Sequence, residues 1–201
     1  MSEKLINWFY GIIASPSRTL REISREKPIV PAIIIFFIIT LINFLISFLG
    51  DSSLEEALLF LAEEGIIINV SSVFLVLFLV VIVFLLISTL LTHLFARLFK
   101  GTGGYTNFLT AYLFIRFLAI FYIPLTFIGS RFGFGGELLM VLGSLGISVW
   151  MIVLEIIAIR ESYNLMTGTS VGIYFLTLAA MVVIIVVPLL LVLFSTLRYV
   201  Y

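Results

Sequence analysis

Cysteine is absent from this 201-residue chain, and histidine occurs once. Without thiols there are no disulfides, thiolate metal sites or cysteine nucleophiles, and the redox compartment stays open. One His with a single nearby carboxylate is a poor metal set, so neither a metal nor a cofactor is expected. Charge is also scarce. Only 11% of residues are charged and 63% are hydrophobic, where a soluble domain carries roughly 25% and 45–50%. A small domain buries only part of its surface, so a water-soluble core cannot absorb that excess. Lipid is the solvent that fits. The formal net charge is zero, which implies no nucleic-acid partner.

What the chain has in plenty is long apolar runs. A spanning helix needs roughly 20 such residues. Five candidates run from about 29–49, 66–99, 106–128, 138–159 and 171–197. The expected fold is all-α, a polytopic transmembrane helix bundle of about five spans with short interfacial amphipathic helices. Residues 28–201 read as the transmembrane domain and 1–27 as a cytoplasmic amphipathic segment. The second run exceeds what the hydrocarbon needs, so it is expected to tilt or protrude. Pro124 and Pro188 sit inside spans three and five and are expected to kink them. Leu5 to Ala14 reads as retained rather than as a cleaved signal. It has no small-x-small cleavage site, and it holds Asn7, Trp8 and Tyr10.

The connections give an orientation. Lys4, Arg18, Arg21, Arg25 and Lys27 precede the first span, Arg97 and Lys100 follow the second, and Arg160 follows the fourth. Only Arg131 and Arg198 fall on the other side. The positive-inside rule places the N-terminus in the cytoplasm and the C-terminus outside the cell membrane. Asp51, Glu55, Glu56, Glu63 and Glu64 lie between spans one and two, with no Lys or Arg. Ser53 and Glu56 form a capping box, and Leu54, Leu58 and Leu61 recur at helical spacing. A short acidic helix on the outer surface, stopped at Gly65, is expected there. The second amphipathic segment, Glu3 to Lys27, is expected in the cytoplasmic interface, broken in two by Pro16.

Charge inside the membrane is the sharpest local signal. Arg116 lies near the middle of span three, where a central Arg costs about 2.5–3.5 kcal/mol on insertion scales. Glu155 and His93 lie a few residues from the cytoplasmic ends of spans four and two, and Asn43 near mid-depth in span one. A short loop joins spans three and four, so Arg116 snorkelling toward the cytoplasm is within reach of Glu155. The functional reading is a polar site of His93, Arg116 and Glu155 that binds an anionic head group or relays a proton. The bland reading is an ion pair that fixes packing. Lys100-Gly101-Thr102-Gly103-Gly104-Tyr105 lacks a P-loop ending and reads as a tight turn. Gly143, Ser144, Gly146 and Ser148 form a small-residue face suited to close packing, within the monomer or between protomers. Asn69-Val70-Ser71 matches a glycosylation sequon at the membrane edge and is expected to go unused. No nucleophile–base–orienter set is visible.

Several segments carry a family resemblance. They are Ser15-Pro16-Ser17-Arg18-Thr19-Leu20-Arg21-Glu22-Ile23, His93-Leu94-Phe95-Ala96-Arg97-Leu98-Phe99-Lys100-Gly101, Gly103-Gly104-Tyr105 with Tyr112, Trp150, and the turn from Met166 to Ser170. Together they resemble the Yip (Ypt-interacting protein) domain family over most of the chain. The resemblance implies five spans and a cytoplasmic N-terminus, in agreement with the charges. Eukaryotic relatives bind prenylated Rab-type GTPases and act in vesicle traffic and membrane shaping. The segment ahead of Ser15 is short where many of them carry a long region. Arg116 stands about where the family often has Pro. The chain looks like a compact prokaryotic member.

The expected function is a non-enzymatic membrane scaffold binding a partner protein or an anionic lipid, with self-association open. The alternative is a small transporter or channel around Arg116, and a lipid enzyme ranks third. A water-accessible cavity reaching Arg116 favours transport. A dry bundle around an Arg116–Glu155 pair favours the scaffold.

Overall fold

The computed structural model describes residues 2–50, 70–129 and 131–200. The expected acidic helix and Asn69 of the expected sequon lie outside these residues. Among the described residues all regular structure is helical. The order is α1 (Ser2–Ala14), α2 (Pro16–Glu26), α3 (Ile29–Gly50), α4 (Val70–Leu98), α5 (Tyr105–Ile115), a 3₁₀ segment (Arg116–Phe121), α6 (Tyr122–Gly129), α7 (Gly133–Tyr163) and α8 (Thr167–Val200). Five stretches are long and apolar enough to cross a membrane: α3, α4, α5 through α6, α7 and α8. The chain is a multi-pass membrane protein.

Two of the five spans start earlier than their apolar runs. Helix α7 begins at Gly133 and α8 at Thr167, inside the expected Met166–Ser170 turn. The glycines, serines and threonines there carry little hydropathy. They are helical all the same, because backbone polar groups near hydrocarbon must bond internally. At 29 residues, α4 is about 43 Å long, more than the roughly 30 Å of hydrocarbon.

The two expected proline effects differ. Pro188 lies inside an uninterrupted α8. Span three does change winding, but it tightens to 3₁₀ at Arg116 and returns to α at Tyr122. Pro124 then falls in the first turn of α6, where its missing N–H is tolerated. Phe108 and Tyr112 on α5 and Arg116 just after it follow at i+4. In the 3₁₀ segment Arg116, Ala119 and Tyr122 follow at i+3, the spacing that a 3₁₀ helix eclipses. One face is thus kept continuous along the whole span.

Pro16 divides the N-terminal segment as expected, standing at the start of α2. The hairpin of α1 and α2 folds back onto the bundle. Trp8, Ile12, Leu20 and Ile23 are buried with Phe108, Phe114, Leu154 and Tyr163. Trp8 meets Phe114 edge-on at 5.5 Å, and Phe9 lies 4.7 Å from Phe117. The well-packed core therefore sits at one end of the bundle, called the base here, where α1 and α2 cap the spans. Away from the base, α4 and α8 present exposed rows such as Leu75, Val76 and Leu79, and Val183, Val186 and Val187. Lipid covers such surfaces.

The glycine-rich turn closes the base. Lys100 takes a left-handed backbone (φ 63°), and the Gly101 amide donates to the Ala96 carbonyl at 2.8 Å. The Thr102 amide donates to the Tyr163 carbonyl at 3.0 Å. A Cβ on Gly103 would collide with the Ser162 carbonyl. The turn is tight because it lies directly on the end of α7. The small-residue face of α7 is partly used within the chain. Leu125 packs on Gly143, and the Ser148 and Tyr122 hydroxyls are 3.0 Å apart, whereas Gly146 faces open space.

Candidate functional site

Arg116 directly follows α5 and opens the 3₁₀ segment, eleven residues past Tyr105, and Glu155 lies eight residues before Tyr163 on α7. Measured from the base, these are about 16 Å and 12 Å of helix. The two side chains therefore arrive at similar depth from antiparallel neighbours. Arg116 Nη2 donates to Glu155 Oε1 at 2.8 Å. It also donates to the Tyr112 hydroxyl, one turn earlier on α5. The guanidinium lies over the Tyr112 ring, with Cζ 4.4 Å from its centroid, a cation–π placement.

The cluster forms part of the wall of a half-open cavity of about 820 Å³ bordered by α3, α4, span three, α7 and α8. About 30% of the Arg116 side chain and 15% of that of Glu155 remain exposed. The lining changes character with depth. Nearer the base come Ser88 and Thr92 on α4, and Tyr174 and Thr177 on α8, with the Thr92 and Thr177 hydroxyls 3.3 Å apart. Farther from the base come Val80, Val81 and Phe84 on α4, and Met181, Val182 and Ile185 on α8.

His93 and Asn43 do not join this cluster, so the expected three-residue site divides. His93 Nδ1 is 2.9 Å from the Tyr163 hydroxyl, and its ring meets Tyr105 edge-on at 5.7 Å. The Tyr105 hydroxyl is in turn 3.0 Å from Thr89 Oγ1. That network belongs to the base. Asn43 Nδ2 donates to the Ile39 carbonyl of its own helix at 2.9 Å. Neither residue lines the cavity.

A second charged cluster fixes α2 to the base. Arg21 Nε donates to Glu161 Oε2 at 2.5 Å, and Arg160 Nη2 donates to Glu161 Oε1 at 2.7 Å. Arg160 Nη2 also donates to Ser17 Oγ at 2.7 Å. The hydrogen bond to the Glu161 carboxylate holds the Arg21 guanidinium above its ordinary pKa. At the other face of the hairpin, Trp8 Nε1 donates to Glu22 at 3.0 Å and Lys4 pairs with Glu26 at 2.6 Å.

Sequence reasoning passed over Tyr174 and Glu161, and it named Tyr112 as a motif residue but not as a partner of Arg116. A signal existed for Tyr112, since it precedes Arg116 by four residues and so shares its helix face. Glu161 was masked by its neighbour Arg160, which reads as an ordinary loop cation. Nothing in the sequence marks Tyr174.

The motif segments of the resemblance fall where this geometry places the base: Ser17 and Arg21 on α2, His93 and the glycine turn, and Tyr112 at the cavity. The family model of the Yip1 domain matches residues 10–195. The chain belongs to the Yip1 domain family. That match runs from within α1 to near the end of α8, so the hairpin, the cavity and all five spans lie inside the Yip1 domain. Comparison with curated proteins and with solved structures gives no significant match.

Proposed function

We propose that this Yip1-domain protein is a non-enzymatic membrane scaffold that binds lipid or a partner protein. Its transmembrane domain is residues 28–201, with residues 1–27 as a cytoplasmic cap. The N-terminus is cytoplasmic and the C-terminus lies outside the cell membrane. The observation that carries the reading is the state of the buried charge. Arg116 is matched inside its own chain by Glu155 and Tyr112. Most of the lining of the cavity beside it is apolar, which suits a lipid chain better than a hydrated solute. Family membership supports it as well.

A second reading, a small transporter, is favoured by the cavity itself, because it reaches Arg116. Proteoliposomes separate the two. The scaffold reading expects no solute flux above that of empty liposomes. Flux that Arg116→Leu abolishes would overturn it.

A further inference from the structure

We propose that the cavity is a lipid site, which takes one glycerophospholipid with a zwitterionic head bearing an ammonium group. This rests on the scaffold reading and names its ligand. The cavity lies among membrane-spanning helices, so the bilayer itself is the nearest source of an occupant. Its 820 Å³ falls within the roughly 300–1,000 Å³ typical of ligand pockets.

The lining is amphipathic along the bundle axis, and that gradient orients the guest. One acyl chain lies along Val81, Phe84, Val182 and Ile185, away from the base, and the other stays in the bilayer at the open side of the cavity. The head lies at the level of Arg116 and Glu155, toward the base. This matches the polarity of a lipid from the leaflet on the basal side, drawn inward by its head.

The head chemistry follows from the free edges of the pair. Among the described residues, Arg116 bonds through Nη2. A guanidinium has five N–H donors, so the three on Nε and Nη1 remain for a phosphate. Glu155 accepts through Oε1. Its Oε2 remains for an N–H donor. Arg116 and Glu155 together are neutral. A net anion beside them would bring an uncompensated charge into a low-dielectric site, whereas a zwitterion keeps the sum at zero. An ammonium head satisfies both free edges. A choline head offers no N–H to Glu155.

The full chain is incubated with equimolar vesicles of phosphatidylethanolamine, phosphatidylcholine and phosphatidylglycerol of identical acyl chains. Retained lipid is counted by native mass spectrometry. Phosphatidylethanolamine is expected to exceed each of the others about tenfold, as one charge-assisted hydrogen bond or one unbalanced charge provides. Glu155→Gln keeps the shape but removes the negative charge, so preference moves to phosphatidylglycerol. Val182→Trp fills the apolar half and removes the retained lipid while the thermal midpoint holds. Absence of retained lipid, equal retention of the three heads, or a preference that Glu155→Gln leaves unchanged would each overturn the lipid site. None of these results produces flux, so the scaffold reading would stand. Arg116-dependent flux would remove the scaffold reading even with lipid retained.

Discussion

Arg21 on α2 and Glu161 at the end of α7 meet at 2.5 Å, 140 positions apart in the chain. Glu161 is nearly covered, with 4% of its side chain exposed, while Arg21 is more than half exposed. Glu161 also holds Arg160, which reaches Ser17. One carboxylate therefore fastens the N-terminal hairpin at two points.

Removal of that carboxylate is expected to loosen the hairpin more than removal of Arg21. Glu161→Ala leaves Arg160 without its carboxylate partner at the base and should destabilise by about 2–3 kcal/mol. Arg21→Ala leaves the Arg160–Glu161 pair standing and should cost less. Thermal unfolding in detergent gives the ranking. Limited proteolysis at the 27–29 connection reports whether the hairpin is what detaches. Equal midpoints for the two variants would deny Glu161 its double role.

The Arg116–Glu155 pair should show strong non-additivity. Arg116→Leu alone leaves a carboxylate unpaired in the bundle and should cost about 3–5 kcal/mol. Arg116→Leu with Glu155→Leu removes both charges and should recover much of that loss. Simple addition of the two single effects in a double-mutant cycle would mean that the two groups do not depend on each other.

How much of this was legible in the sequence divides by the kind of information involved. The spans were legible because lipid demands long apolar runs, and the Arg116–Glu155 contact followed from a short loop and equal depth. Depth alone does not give the direction a side chain takes around its helix. His93 was therefore grouped with Arg116, although it points to Tyr163 and Tyr105. The N-terminal segment has a similar ambiguity. An apolar stripe such as Leu5, Trp8, Phe9 and Ile12 reads alike whether lipid or Phe114 and Phe117 covers it. The 3₁₀ winding at Arg116 had no counterpart in the sequence beyond Pro124.

Two glycines should respond in opposite senses to alanine. At Gly103 the new Cβ meets the Ser162 carbonyl, a backbone atom that cannot rotate away. Gly103→Ala should therefore destabilise by about 1–3 kcal/mol. Gly172 lies inside α8 with nothing within 4 Å of its Cβ position, so Gly172→Ala should stabilise by up to about 1 kcal/mol. The comparison is made on thermal midpoints in one detergent. A neutral Gly103→Ala would contradict the contact between the turn and the end of α7.

The orientation can be tested cleanly, because the chain has no cysteine of its own. Single cysteines at Ser2, Lys100, Arg131 and Tyr201 are exposed to a membrane-impermeant thiol reagent in intact cells. The proposed topology puts Ser2 and Lys100 inside and Arg131 and Tyr201 outside. The basic residues drive this arrangement through the positive-inside effect. Arg160 should matter most at the last connection, because it is the one cation between spans four and five. Labelling of Ser2 and Tyr201 from the same side would reduce five spans to an even number. Labelling of Ser2 and Lys100 from outside, with Arg131 and Tyr201 protected, would keep five spans and invert the protein. In that case the hairpin and the polar end of the cavity would draw on the opposite leaflet.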